Sequence, residues 1–233
     1  MTQTLALIPG LNNTHEVFSD LIPHLDASIT PVTRNNDLLD SVEAIADEWL
    51  KVLPNEFWLG GFSFGGYVSL AILARAPERV KGIALICSTP YADSPEARQR
   101  RLKALESGES QYAKMLETQV ARVFSEEALK NEALVARRQK MALDYGFARY
   151  ANHVQATAKR PDSLSLLNGL AKPVLLVAAE EDVVVTAELM SNCAAKITDC
   201  EFHSIPGSGH MLPFEKPEAL AAQLNAWVKS QTK

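Results

Sequence analysis

The chain has 233 residues, 47% of them hydrophobic and 22% charged, which suits one domain with a large core, or a core with a modest insertion. A net charge of −5 and a pI near 5.6 argue against nucleic acid or an anionic membrane as the main partner. The three cysteines, Cys87, Cys193 and Cys200, lack metal-ligand spacing, and their odd number suits a reducing compartment.

The N-terminus has no basic segment, its apolar run is too short for a signal peptide, and no stretch reaches membrane-spanning length, so a cytoplasmic chain is expected. Thr4 to Ile8 reads as a first strand stopped by Pro9-Gly10. A helix is predicted over Val17 to Leu25, then a weaker strand over Ser28 to Thr33. Asp37 is the predicted cap of a helix carrying Leu38, Val42, Ile45, Trp49 and Leu53 at helical spacing. An apolar run from Phe57 leads into Gly61-Phe62-Ser63-Phe64-Gly65-Gly66, and a helix rich in alanine and leucine follows to Ala76. Val80 to Cys87 is the next strand.

From about residue 90 to 162 no strand-like run occurs, and the segment reads as a helical insertion of three or four helices, bounded by a core of residues 1–89 and 163–233. Ser94-Pro95-Glu96 starts one helix and Gly108 stops it. Met115, Gln119, Val120 and Val123 form a stripe, followed by Leu129, Leu134, Arg138 and Met141. Gly146 separates a last helix running towards Arg160-Pro161. Pro173 to Ala179 reads as a buried strand, Thr186 to Ile197 as a helix, Cys200 to Ile205 as a strand, and a closing helix begins at Pro217. Strands alternating with helices predict an α/β fold, a mostly parallel sheet of about six strands covered on both faces.

Gly61-x-Ser63-x-Gly65 between a strand and a helix fits a turn that forces the serine into a strained conformation and sets its oxygen above a helix N-terminus. A serine hydroxyl needs a base to take its proton and a third group to orient that base. Glu180-Glu181-Asp182 follows a buried strand, and Gly207-Ser208-Gly209-His210 follows the last one, so acids and a histidine reach the strand ends where open parallel sheets bind ligands. Two alternatives stay open for the acid: Glu181 in its place, or Asp182 as a helix cap only. His203 is a rival base if the register differs, and His15, His24 and His153 read as surface or loop residues.

Through Gly61 to Gly66, Glu180-Glu181-Asp182 and Gly209-His210 followed by Glu215-Lys216-Pro217-Glu218, the chain resembles the α/β-hydrolase superfamily from end to end. The resemblance implies Ser63 as nucleophile, His210 as base and Asp182 as acid, with an oxyanion hole from the backbone N–H groups of Leu11 and Phe64. The chain departs from the pattern at Pro9-Gly10, where histidine commonly precedes the glycine. It also departs at Ala179 and Val183, where the acid turn often has glycine and proline. It implies a cofactor-free, metal-free serine esterase, monomeric or a small homo-oligomer, acting on a small or medium carboxylic ester. Thioester cleavage, C–C bond hydrolysis and a ligand-binding role with negligible turnover are the alternatives on the same triad. Asn12, His15, Met115, Phe124 and Met211 are expected to line a largely apolar pocket under the insertion. The basic run Arg98 to Lys103 reads as a solvated helix face, or as a seat for an anion such as a coenzyme A phosphate.

Overall fold

The computed structural model describes residues 2–230, so residue 1 and residues 231–233 of the predicted core lie outside it. Six parallel strands stand in the order β2-β1-β3-β4-β5-β6. They are β1 (Gln3–Ile8), β2 (Ile29–Thr33), β3 (Phe57–Phe62), β4 (Val80–Ile86), β5 (Val174–Ala179) and β6 (Cys200–Ile205). The chain runs outward from β1 to β2 and then crosses back to β3. The crevice at the strand ends between β1 and β3 is therefore a topological switch point, where such sheets bind ligands.

Side-chain alternation along the strands divides the core in two. Ala6, Ile8, Leu59, Leu85 and Leu176 face one layer, covered by α1 (Val42–Val52), α2 (Phe64–Arg75) and later α8 (Ala187–Ala194). Leu5, Leu7, Trp58, Ile86 and Val177 face the other, covered mainly by α10 (Pro217–Ser230) through Leu220, Leu224 and Trp227. β5 is buried along its whole length, as its unbroken apolar run demands.

Between β4 and β5 every element is helical: α3 (Pro95–Lys103), α4 (Tyr112–Val123), α5 (Glu132–Tyr145), α6 (Phe147–Lys159) and the short α7 (Leu164–Asn168). Tyr112, Leu116, Ala142, Tyr145, Tyr150 and Val154 give this layer a small core of its own. α9 (Leu212–Glu215) is one turn directly after the His210 loop. Among the described residues no helix is long and apolar enough to cross a membrane.

Two local expectations change. Val17 to Leu25 is not one helix but two 3-10 turns, His15–Phe18 and Ile22–His24, because Pro23 offers no N–H to continue the ladder. Asp37 does not cap α1. Ser41 does, its hydroxyl accepting from the Ala44 N–H at 3.1 Å, while Asp37 pairs with Arg34 and Leu38 stays exposed.

Candidate active site

Ser63 joins β3 to α2 at φ 51° and ψ −116°, a conformation that costs a non-glycine residue energy and aims its side chain off the sheet. The flanking glycines make that turn possible. A Cβ on Gly61 would lie 2.5 Å from the Gly65 carbonyl oxygen, and one on Gly65 would lie 2.0 Å from the Ile8 carbonyl oxygen. The turn is held by the Ser63 N–H donating to the Ile86 carbonyl at 2.8 Å and by the Ser88 hydroxyl donating to the Ser63 carbonyl at 2.8 Å.

His210 hangs from the loop after β6, with Nε2 3.0 Å from Ser63 Oγ and Nδ1 2.7 Å from Asp182 Oδ2. A carboxylate only accepts, so Nδ1 carries the proton and Nε2 is left to receive one from the serine. The other oxygen of Asp182 accepts from the Val184 and Val185 N–H groups at 2.7 and 2.9 Å. The aspartate therefore closes its own turn as well as holding the imidazole. Glu181 is exposed and His203 lies on β6 beside Glu201. Glu215 fixes the histidine loop by accepting from the Gly209 and Ser125 N–H groups, each at 3.0 Å.

Leu11 and Phe64 flank the serine after β1 and β3, and among the described residues neither backbone N–H has an intramolecular acceptor. Free amides beside a half-buried hydroxyl are suited to a developing oxyanion. The Leu11 loop is braced from below. Trp49 Nε1 donates to Asn36 Oδ1 at 2.8 Å and Asn36 Nδ2 donates to the Pro9 carbonyl at 2.9 Å, while Asn13 Nδ2 donates to the Leu11 carbonyl at 2.7 Å. Asn36 and Ser88 carry no mark in the sequence, because a lone polar residue that braces a distant loop leaves no local pattern.

A cavity of about 810 Å³ opens over Ser63 and His210. Asn12 and Met211 line it, but His15, Met115 and Phe124 do not. His15 is exposed and tied to Asn35 through its backbone N–H at 2.8 Å. Met115 packs in the helical layer's own core. Phe124 leaves α4 in extended conformation and is buried against the β-sheet's second face.

The wall is also not largely apolar. Among the described residues five arginines line it, Arg100, Arg101, Arg122, Arg138 and Arg160, against one acid, Asp93. The run Arg98 to Lys103 is divided by helical periodicity: Ala97, Arg100, Arg101 and Ala104 face the cavity and the rest face away. Asp93 ties Arg101 at 2.8 Å and Arg160 at 2.9 Å, and Arg160 also lies 4.0 Å over the Tyr67 ring. Burial opposes the charge of Asp93, but these two arginines outweigh it and hold the carboxyl below its ordinary range.

His153, expected at the surface, is buried on α6 and stacked on Phe64, with ring centroids 4.8 Å apart. Its Nε2 donates to the Asp37 carbonyl at 2.7 Å, so Nδ1 accepts from the Tyr145 hydroxyl. Burial pushes its pKa down to about 4 and keeps it neutral.

Cys87, Asp182 and His210 place three potential ligand atoms within 4.8 Å of one another. Burial first, and the Asp182 charge second, push the Cys87 thiol well above its ordinary pKa. It therefore keeps its proton and is a poor metal ligand. The other two are engaged with each other.

The model of the alpha/beta hydrolase fold family matches residues 36–217. A pimeloyl-[acyl-carrier protein] methyl ester esterase of Xanthomonas oryzae is 31% identical over 230 residues, covering 88% of this chain and 87% of that protein. An uncharacterised hydrolase of Bacillus subtilis is 24% identical over 188 residues, covering 73% of this chain, which spans 64% of that relative's length. Among solved structures, a thermophilic esterase from Thermogutta terrifontis, with malate bound, superposes with a TM-score of 0.93 at 24% identity, covering 100% of this chain and 92% of that one. An enol-lactonase from Burkholderia xenovorans superposes at 0.86 with 16% identity, covering 98% and 92%.

Proposed function

Because this chain belongs to the α/β-hydrolase family and has esterases among its relatives, we propose that it hydrolyses a small or medium carboxylic ester through an acyl-enzyme on Ser63. One observation carries the reading: the unbroken line from Asp182 through His210 to Ser63, at 2.7 and 3.0 Å, beside two unengaged amides. Ser63 Oγ attacks the carbonyl carbon while its proton passes to His210 Nε2. The oxyanion sits against the Leu11 and Phe64 N–H groups, each such donor lowering the barrier by roughly 3 kcal/mol in comparable sites. The imidazolium returns the proton to the leaving alcohol. Water, deprotonated by the same nitrogen, then releases the carboxylic acid and restores the serine.

The Xanthomonas relative is named for cleaving the methyl ester of a pimeloyl chain, which supports an acyl ester as the substrate type. We assign residues 90–162 as a cap whose helices close the cavity over Ser63 and limit acyl length. A panel of p-nitrophenyl esters from acetate to decanoate tests the reading. Turnover of the short members, lost in Ser63→Ala and falling beyond about eight carbons, is expected for a cavity of bounded volume. No turnover of any member, or turnover that survives Ser63→Ala, would overturn it.

A further inference from the structure

Two buried arginines on the cavity wall are built differently. Arg160 has its charge compensated. It is paired with Asp93 at 2.9 Å, and it also donates to the Tyr91 and Thr157 carbonyls at 3.0 and 2.8 Å. Arg138, on α5, is only 3% exposed and, among the described residues, has no carboxylate partner. Its Nη1 donates to the Leu116 carbonyl at 3.2 Å and the Gln139 side-chain oxygen at 3.0 Å, and its buried Nε has no acceptor among the described residues.

A guanidinium taken out of water without a counter-charge is costly, and a structural tie to two neutral oxygens does not offset that cost. Burial pulls the Arg138 pKa down to about 10, which still leaves it cationic at neutral pH. The surroundings do not supply the missing anion. Asp93, the one acid on the wall, is already shared by Arg101 and Arg160, and Arg100 and Arg122 add further positive charge nearer the mouth. In a protein whose net charge is −5, the wall carries a formal excess of four positive charges around one serine.

We propose that Arg138 is the seat of a carboxylate carried by the substrate itself, so that the preferred ester is a monoester of a short dicarboxylic acid, cleaved at one end by Ser63 and held at the other by Arg138. The proposal rests on the esterase reading for its chemistry but not for its binding. With Nη1 given to Leu116 and Gln139 and Nε buried, Nη2 is the part of the guanidinium left to donate to a carboxylate, and a ligand charge would complete a pair that the protein leaves open. Arg100 and Arg122, exposed at the rim, draw the anion in.

The test compares monomethyl esters of four- to eight-carbon diacids with the uncharged methyl esters of equal length. Wild-type protein is expected to favour the charged series at its best length by at least about tenfold in kcat/KM, the usual scale of a charge-assisted pair. In Arg138→Gln that preference collapses towards unity, chiefly through KM, and Arg138→Lys recovers part of it. Binding is read separately by titrating the free diacids, and inorganic phosphate, into Ser63→Ala. Diacid binding that disappears in Ser63→Ala/Arg138→Gln supports the site even if no ester is turned over, in which case only the esterase reading fails. Uncharged esters cleaved as well as charged ones, with no diacid bound, would overturn the inference. Phosphate binding more tightly than any diacid would overturn the carboxylate and point to a phosphorylated substrate. If Arg138→Gln does not fold, the wild-type preference and the titrations decide.

Discussion

The strand ends beneath Ser63 and the helical layer above it are built on different principles. Below, geometry is over-determined. The serine turn is locked by two glycines that tolerate no Cβ, by Ser88 and by the backbone of β4, and the His210 loop is locked by Glu215. Above, the cavity wall is set by charge, with one aspartate distributing itself between two arginines and a third arginine that, among the described residues, meets only neutral oxygens. In the proposed reading, bond-breaking belongs to the rigid floor and choice of substrate to the roof. His153 joins the two, stacking on the Phe64 ring while its α6 belongs to the roof.

Breaking the floor should have the largest effect. Asp182→Asn leaves the imidazole in the wrong tautomer, and kcat is expected to fall roughly 10⁴-fold, while exposed Glu181→Gln changes it little. Steady-state kinetics on p-nitrophenyl acetate checks the ranking, and the reverse order would move the acid to Glu181. Gly65→Ala should be nearly as severe, but in stability. A Cβ 2.0 Å from the Ile8 carbonyl cannot be accommodated without moving β1, and a loss above roughly 4 kcal/mol is expected in a urea titration.

The roof should respond more mildly and in a different currency. Asp93→Asn leaves Arg160 buried without its anion, at a cost of about 3 kcal/mol by the same titration, and should widen substrate preference rather than abolish turnover. Unchanged stability there would show that the roof is held by packing and not by charge.

His153 sharpens the join. Its folded pKa of about 4 lies below the ordinary value of 6.5, so between these pH values the unfolded chain binds a proton that the folded chain refuses. Stability from this group is therefore complete above pH 6.5 and is lost as pH falls towards 4, by up to about 3 kcal/mol. Wild type should lose more stability than His153→Gln between pH 7 and pH 4.5, and parallel losses would remove the buried neutral imidazole from the account.

The same division explains what could be read from the chain. Ser63, Asp182 and His210 stand in short segments at strand ends, marked by glycines and by abrupt changes from apolar to polar residues, so their neighbours in sequence announce them. β5 and β6 were legible for the same reason, while the 3-10 turns at His15–Phe18 and Ile22–His24 were hidden by helical spacing that Pro23 interrupts. The roof is legible only once the helices are oriented. Arg100 and Arg101 look like any solvated pair until Ala97 and Ala104, three and seven positions from Arg100 and Ala97 respectively, are seen to share their face. Arg138 did carry a signal, a charge standing in a stripe with Leu134 and Met141, and its meaning depended on its meeting only neutral oxygens among the described residues. Phe124 misled because an aromatic residue next to a helix reads as part of that helix, whereas its extended backbone turns it into the lower core.

The central claim is that Ser63, activated by His210, forms a covalent intermediate. It is tested most directly by intact-mass spectrometry after exposure to a small fluorophosphonate. A single adduct is expected on the wild-type chain, mapped to the peptide containing Ser63, absent from Ser63→Ala and strongly slowed in His210→Gln. An adduct that persists in Ser63→Ala, or that forms at the same rate without the imidazole, would contradict it.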